Sequence, residues 1–170
     1  MLNPKIAQML NEQINREFYS SFLYLDMSNF YYDHNLNGFG NWFGIQTQEE
    51  YAHAMLFLKY MQNNGEKVTL ETIAAPDIKF TDFKHPLTAA LEHEYFITKS
   101  INDIYAEAYT LKDFRTMQFL DWFVKEQGEE EQNTDDLVKR FELFGNDPKS
   151  LYLLDSELSA RTYSPPSLVI

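Results

Sequence analysis

Glu50-Tyr51-Ala52-His53 sets a carboxylate and an imidazole three residues apart. On a helix that spacing is one turn, so both side chains address the same side. Phe39 and Phe43 before the pair, and Phe57 and Tyr60 after it, recur at helical spacing along that side. A glutamate and a histidine therefore interrupt a stripe that should be buried. Three other stretches of the chain show the same kind of interruption. Together they predict a dinuclear metal site inside a four-helix bundle.

The first of these stretches opens with Asn3-Pro4, a favourable cap followed by proline at the first helical position, and its stripe is Ile6, Leu10, Ile14, Ser21, Tyr24 and Ser28, running to about Tyr32. Glu17 falls on it. The helix that carries Glu50 and His53 stops at Asn63-Asn64-Gly65, where glycine suits a left-handed C-cap. Residues 66–81 contain Pro76 and no helical period, which predicts a long crossover along the bundle rather than a tight turn. Thr81-Asp82 is then the expected cap of a third helix, with Pro86 in its first turn and a stripe of Leu87, Leu91, Ile97, Ile101, Ile104 and Ala108 interrupted by Glu94. Asp113 is the expected cap of a fourth, whose stripe is Met117, Leu120, Val124, Leu137, Val138 and Phe141, ending at Gly145. Gln127 and Glu130 interrupt it. Asp147-Pro148 begins a short fifth helix through about Ala160. The expectation is an all-α chain: residues 1–160 as one four-helix bundle with a long second-to-third crossover and a short fifth helix, then a tail over 161–170, disordered by default.

Composition narrows the classes of function. With 170 residues and 44% hydrophobic content the chain is long enough for one domain with a sizeable core. It has no cysteine, which removes disulfide frameworks and thiolate metal sites and fits a reducing, cytoplasmic setting. The first residues lack a secretion signal's basic patch and apolar run, and no apolar stretch reaches the ~20 residues of a membrane span. A formal charge of −12 argues against nucleic acid or anionic lipid as partners and favours cations.

A single glutamate on an apolar stripe is ordinarily an edge residue whose head reaches water. Four at one level of a bundle are another matter. The inward faces carry no lysine or arginine, so Glu17, Glu50, Glu94 and Glu130 would repel one another and be desolvated together. Two divalent cations would balance them, four positive charges against four negative. Carboxylates with one imidazole and no thiolate suit Fe(II), Fe(III), Mn or Zn, with iron the best match. Six protein ligands for two metals, counting His53 and Gln127, leave open positions of the kind an oxygen or peroxide reaction needs. Two-metal carboxylate bundles usually carry Glu-x-x-His on two helices. Here Gln127-Gly128-Glu129-Glu130 stands in the second place, so the metal without imidazole should be held more loosely.

From Asn3 to about Ser159 the sequence resembles the bacterial non-haem ferritins. The resemblance rests on Leu10-Asn11-Glu12-Gln13 leading to Glu17 and Tyr19-Ser20-Ser21, on Gln48-Glu49-Glu50 with His53, and on Glu94. It rests equally on Phe119-Leu120-Asp121-Trp122-Phe123 leading to Glu126-Gln127 and Glu129-Glu130-Glu131, and on Leu151-Tyr152 in the fifth helix. It implies that Glu17, Glu50 and His53 hold one iron and that Glu50, Glu94 and Glu130 hold the second, with Gln127 beside them and Glu50 bridging. It further implies a third iron position at Glu49, Glu126, Glu129 and Glu130, which the residues alone would have left as an acidic solvated face. Tyr24, two turns beyond Glu17, is implied as a tyrosine that bonds near the iron pair and supplies an electron. Trp122 could serve the same end, but packing is its expected role. His34, His85 and His93 lack partners at ligand spacing and read as surface or interface residues, and Met61 as core.

The activity so implied is ferroxidase: Fe(II) is oxidised with O2 or hydrogen peroxide and stored as ferric mineral inside a homo-oligomeric shell of twenty-four subunits. Haem is not expected, because Tyr51 stands where bacterioferritin has its methionine. A rubrerythrin-like peroxidase would need a cysteine-ligated iron domain. The alternative from another class is a non-enzymatic shell subunit, or an acidic helical binding module. Gly128, where these ferritins commonly have histidine, and the tail ending in Pro165-Pro166-Ser167-Leu168-Val169-Ile170 depart from the family pattern.

Overall fold

The computed structural model describes residues 2–170, so residue 1 of the expected 1–160 domain lies outside the described residues. The described chain forms α1 (Pro4–Asp33), α2 (Asn37–Asn63), α3 (His85–Thr110), α4 (Phe114–Phe144) and α5 (Pro148–Leu158). Three of these helices start as the sequence predicts. Asn3, Asp113 and Asp147 each accept a backbone N–H of the first turn, from Lys5, Thr116 and Ser150, a bond worth about 1 kcal/mol apiece. Gly65 follows α2 with a left-handed φ of 75°.

One helix start differs from expectation. Asp82 accepts from the amides of Lys84 and His85 at 2.8 Å each, which delays the start of α3 to His85 and leaves Lys84 in the cap position. Gly145 closes α4 where expected, with φ −74°, outside the left-handed region. Its small size serves contact instead, since a Cβ there would lie 2.6 Å from the Phe141 carbonyl oxygen.

The turn from α1 into α2 is tight. Ser28 Oγ donates to the Gly40 carbonyl at 2.7 Å, and α5 seals the start of α2 from outside. Asp155 Oδ1 accepts the amides of Gly38 and Phe39 at 2.8 and 3.0 Å. The crossover then climbs α1. Thr69 exchanges hydrogen bonds with Asn11, the Thr72 carbonyl accepts from Asn15, and Phe80 and Phe83 pack on Phe30 near the far end of α1. In consequence α3 begins at the end of the bundle where α2 begins. Among the described residues no helix is long and apolar enough to cross a membrane.

The apolar interior falls into two clusters. One contains Leu23, Tyr24, Met27, Phe39, Phe43, Leu87, Leu137 and Phe141. The other contains Ile6, Leu10, Ile14, Phe57, Ile97, Ile101, Leu120 and Phe123. On every long helix a buried polar residue separates the two groups: Glu17, Glu50, Glu94 and Gln127 with Glu130. Val124 does not belong to the core as expected. It is 43% exposed, and Phe123 fills that level, because the inward face of α4 runs through 120, 123, 127 and 130 rather than stepping from 120 to 124. Met61 is buried as predicted. His93 is not a simple surface residue: it is half-buried, and its ring nitrogen sits 2.7 Å from Ser20 Oγ.

The tail also departs from its expected disorder. Arg161 donates to the Trp42 carbonyl, Trp122 Nε1 donates to Ser167 Oγ at 3.0 Å, and Leu168 packs against the second cluster. Its residues thus lie on the α2 and α4 side of the bundle.

Candidate metal centre

The polar level between the two clusters is built one helix at a time. Glu17, Glu50, His53, Glu94, Gln127 and Glu130 are all buried. Each reaches that position because it takes the place of an apolar residue in a stripe whose neighbours one turn away are fixed in the core. On α1 and α2, Glu17, Glu50 and His53 bring one ligand atom each within 4.8 Å of one another. Glu17 Oε2 and Glu50 Oε1 are buried with no hydrogen-bond partner. Orphaned carboxylate oxygens of this kind cost several kcal/mol unless a cation meets them. The donor set therefore fits a divalent metal ion.

The remaining oxygens are held. Gln13 Nε2 donates to Glu17 Oε1 at 2.7 Å, and Gln13 Oε1 accepts in turn from Ser100 Oγ, itself contacted by Arg16. Gln46 Nε2 donates to Glu130 Oε2 at 2.9 Å. Gln127 Nε2 donates to Glu94 Oε2 at 3.0 Å and to Thr98 Oγ1 at 3.2 Å, while Tyr24 Oη donates to Glu94 Oε1. In this arrangement Gln127 orients Glu94 with its amide nitrogen, which has no lone pair for a metal. His53 offers Nδ1 at 3.7 Å from Glu50 Oε2 and has Trp122 and Phe123 at its edge.

Burial dominates the electrostatics of the four glutamates. Burial, then the charges of Glu94, Glu17 and Glu130, push the Glu50 carboxyl well above the usual range. Burial likewise raises Glu17, lifts Glu94 to about 7 and lifts Glu130 to about 8. Glu50 thus feels all three of the other carboxylates. Tyr24 is also pushed well above its ordinary value, by burial first and then by Glu94 and Glu50, and so holds its proton on Glu94.

The residues expected at a third position are gathered more loosely. Glu126 Oε1 lies 4.0 Å from His53 Nε2, Glu129 pairs with Lys125 at 3.5 Å, and Glu49 pairs with Arg161 at 2.7 Å. The reading of the sequence did not find Gln13, Gln46 or Arg161. A signal existed for the glutamines, since each stands four residues before a stripe glutamate, Glu17 or Glu50. None existed for Arg161, which lies in a stretch without period.

A four-helix bundle closed around a buried carboxylate–histidine group able to hold a metal ion is the class defined by this fold and site. A family model described as Ferritin-like domain matches residues 7–144. The chain belongs to the ferritin family. It is 37% identical over 155 residues to a bacterial non-heme ferritin of Campylobacter jejuni, covering 91% of this chain and 93% of that one. With a bacterial non-heme ferritin of Escherichia coli O157:H7 the identity is 33% over 159 residues, covering 94% and 96%. Among solved structures, an open-pore ferritin from the archaeon Archaeoglobus fulgidus superposes with a TM-score of 0.93 at 38% identity, covering 95% of this chain and all of that one.

Proposed function

We propose that this chain is an iron-storage protein with ferroxidase activity. Fe(II) is the substrate: one ion is taken by Glu17, Glu50 and His53, a second by Glu50, Glu94 and Glu130, with Glu50 shared and Gln127 orienting Glu94. Two Fe(II) supply two electrons, so with O2 the balanced step is 2 Fe(II) + O2 + 2 H+ giving 2 Fe(III) + H2O2, and peroxide serves as the alternative oxidant. Two metals held side by side are suited to such a two-electron exchange. Tyr24, whose hydroxyl donates to Glu94, orients that ligand. The Fe(III) then moves to a mineral inside a homo-oligomeric shell of twenty-four copies in the cytoplasm.

The observation that carries the reading is the pair of buried, orphaned oxygens on Glu17 and Glu50, in a group where Glu17, Glu50 and His53 each bring a ligand atom within 4.8 Å of one another. The names of the relatives support the storage role, and their coverage of nearly the whole chain supports transfer to it. The test is an anaerobic Fe(II) titration followed by an air pulse, on the wild type and on Glu50→Ala. Saturation near two or three irons per chain, with rapid oxidation lost in the variant, is the expected result. Weak, unsaturable binding with equally slow oxidation in both proteins would leave a passive shell subunit.

A further inference from the structure

The strongest feature outside the two-metal centre is a cation that the chain supplies itself. Arg161, just beyond α5, is held from four directions. Its own carbonyl accepts from Asn41 Nδ2 at 3.0 Å, and Asn41 also holds the Leu158 carbonyl at 3.2 Å. Arg161 Nη1 donates to the Trp42 carbonyl at 3.1 Å, and the guanidinium carbon lies 4.7 Å from the Trp42 ring centre. Nη2 donates to Gln46 Oε1 at 2.6 Å and to Glu49 Oε2 at 2.7 Å.

Glu49 therefore does not stand free. Its carboxyl is raised by burial and drawn back down by Arg161, and the Glu126 and Glu130 carboxylates act on the same neighbourhood. Through Gln46 the guanidinium also touches the residue that holds Glu130. Beyond Arg161, residues 162–165 are all exposed, and the tail is next fastened at Ser167 and Leu168.

We infer that Arg161 is a tethered cation that keeps the third metal position closed: its guanidinium takes Glu49, and a third metal ion gains that carboxylate only by displacing the tail. This rests on the two-metal reading above. The chain would then bind two ions tightly and a third weakly, with the tail setting the stoichiometry. A charge beside a carboxylate ordinarily changes its affinity for another cation by a factor of ten or more. Entry of the third ion would also unstack Trp42.

The test uses Zn(II), which is redox-inert, on the full-length assembled protein, with calorimetry for stoichiometry and tryptophan fluorescence, the Trp42 contribution being taken as the difference from a Trp42→Phe variant. Wild type should show two tight ions and a weaker third whose binding coincides with the Trp42 signal. Arg161→Gln should tighten the third ion by at least ~tenfold with the first two unchanged, and should abolish the coincident signal. Arg161→Lys, which keeps the charge but loses the fork, should leave the third ion near its wild-type affinity. If Arg161→Gln fails to assemble, Asn41→Ala loosens the tail without touching Glu49 and should shift the third ion in the same direction. An unchanged or weaker third ion in the neutral variant, or equal tightening by glutamine and lysine, overturns the proposal. Absence of any tight pair in all proteins overturns the two-metal reading and this inference with it.

Discussion

At the scale of single residues, the four glutamates explain themselves by what they displace. Each sits where leucine or phenylalanine would otherwise extend the core, and the structure compensates with glutamine and tyrosine donors on one side and orphaned oxygens on the other. In the metal-free protein this predicts an unusual response to pH. The folded-state carboxyls of Glu94 and Glu130 lie at about 7 and about 8, raised from an ordinary value of 4.5 chiefly by burial. The fold thus favours the protonated form; that stabilisation is fully present below about 4.5 and is lost as pH rises through about 8. Chelator-treated protein should accordingly melt at a lower temperature at pH 8 than at pH 5, and saturating Zn(II) should flatten the difference. A melting temperature that rises with pH without metal would contradict the burial of four carboxylates together. These residues were legible from the sequence because a charged side chain on an apolar stripe is conspicuous. Their partners were less so: Gln13 and Gln46 are neutral, and glutamine is mostly a solvated residue.

At the scale of elements, the caps and the crossover followed from local chemistry, while the contacts between elements did not. Asn3-Pro4, Asp113 and Asp147-Pro148 mark helix starts because their side chains satisfy amides that a helix leaves free. Phe123 and Val124 are adjacent, and only packing against the other helices decides which one faces inward. Gly38 is a sharper case. Nothing in Asn37-Gly38-Phe39 reveals that α5 will pass so near that a Cβ on residue 38 would lie 1.6 Å from the Asp155 carbonyl oxygen. Gly38→Ala should therefore push α5 from the start of α2 and destabilise the chain by about 1–3 kcal/mol, read as a lower denaturation midpoint. Gly128→Ala should not, since a Cβ there meets nothing within 4 Å, and a helix interior prefers alanine by ~1 kcal/mol. A midpoint unchanged by Gly38→Ala would show that α5 is not held there.

Over the whole molecule, the polar level divides the interior into two apolar clusters with a weak layer between them. Helical bundles ordinarily exchange their amide hydrogens fastest at the frayed ends and slowest in the middle. Here the order should invert when no metal is bound. The turns around Glu17, Glu50, Glu94 and Glu130 should exchange sooner than those around Leu10, Phe39, Ile101 and Phe141, and cation binding should restore the usual profile, as hydrogen–deuterium exchange resolved along the chain would show. A bundle that opens from its centre and stays closed at both ends can admit water and small ions to its middle without coming apart.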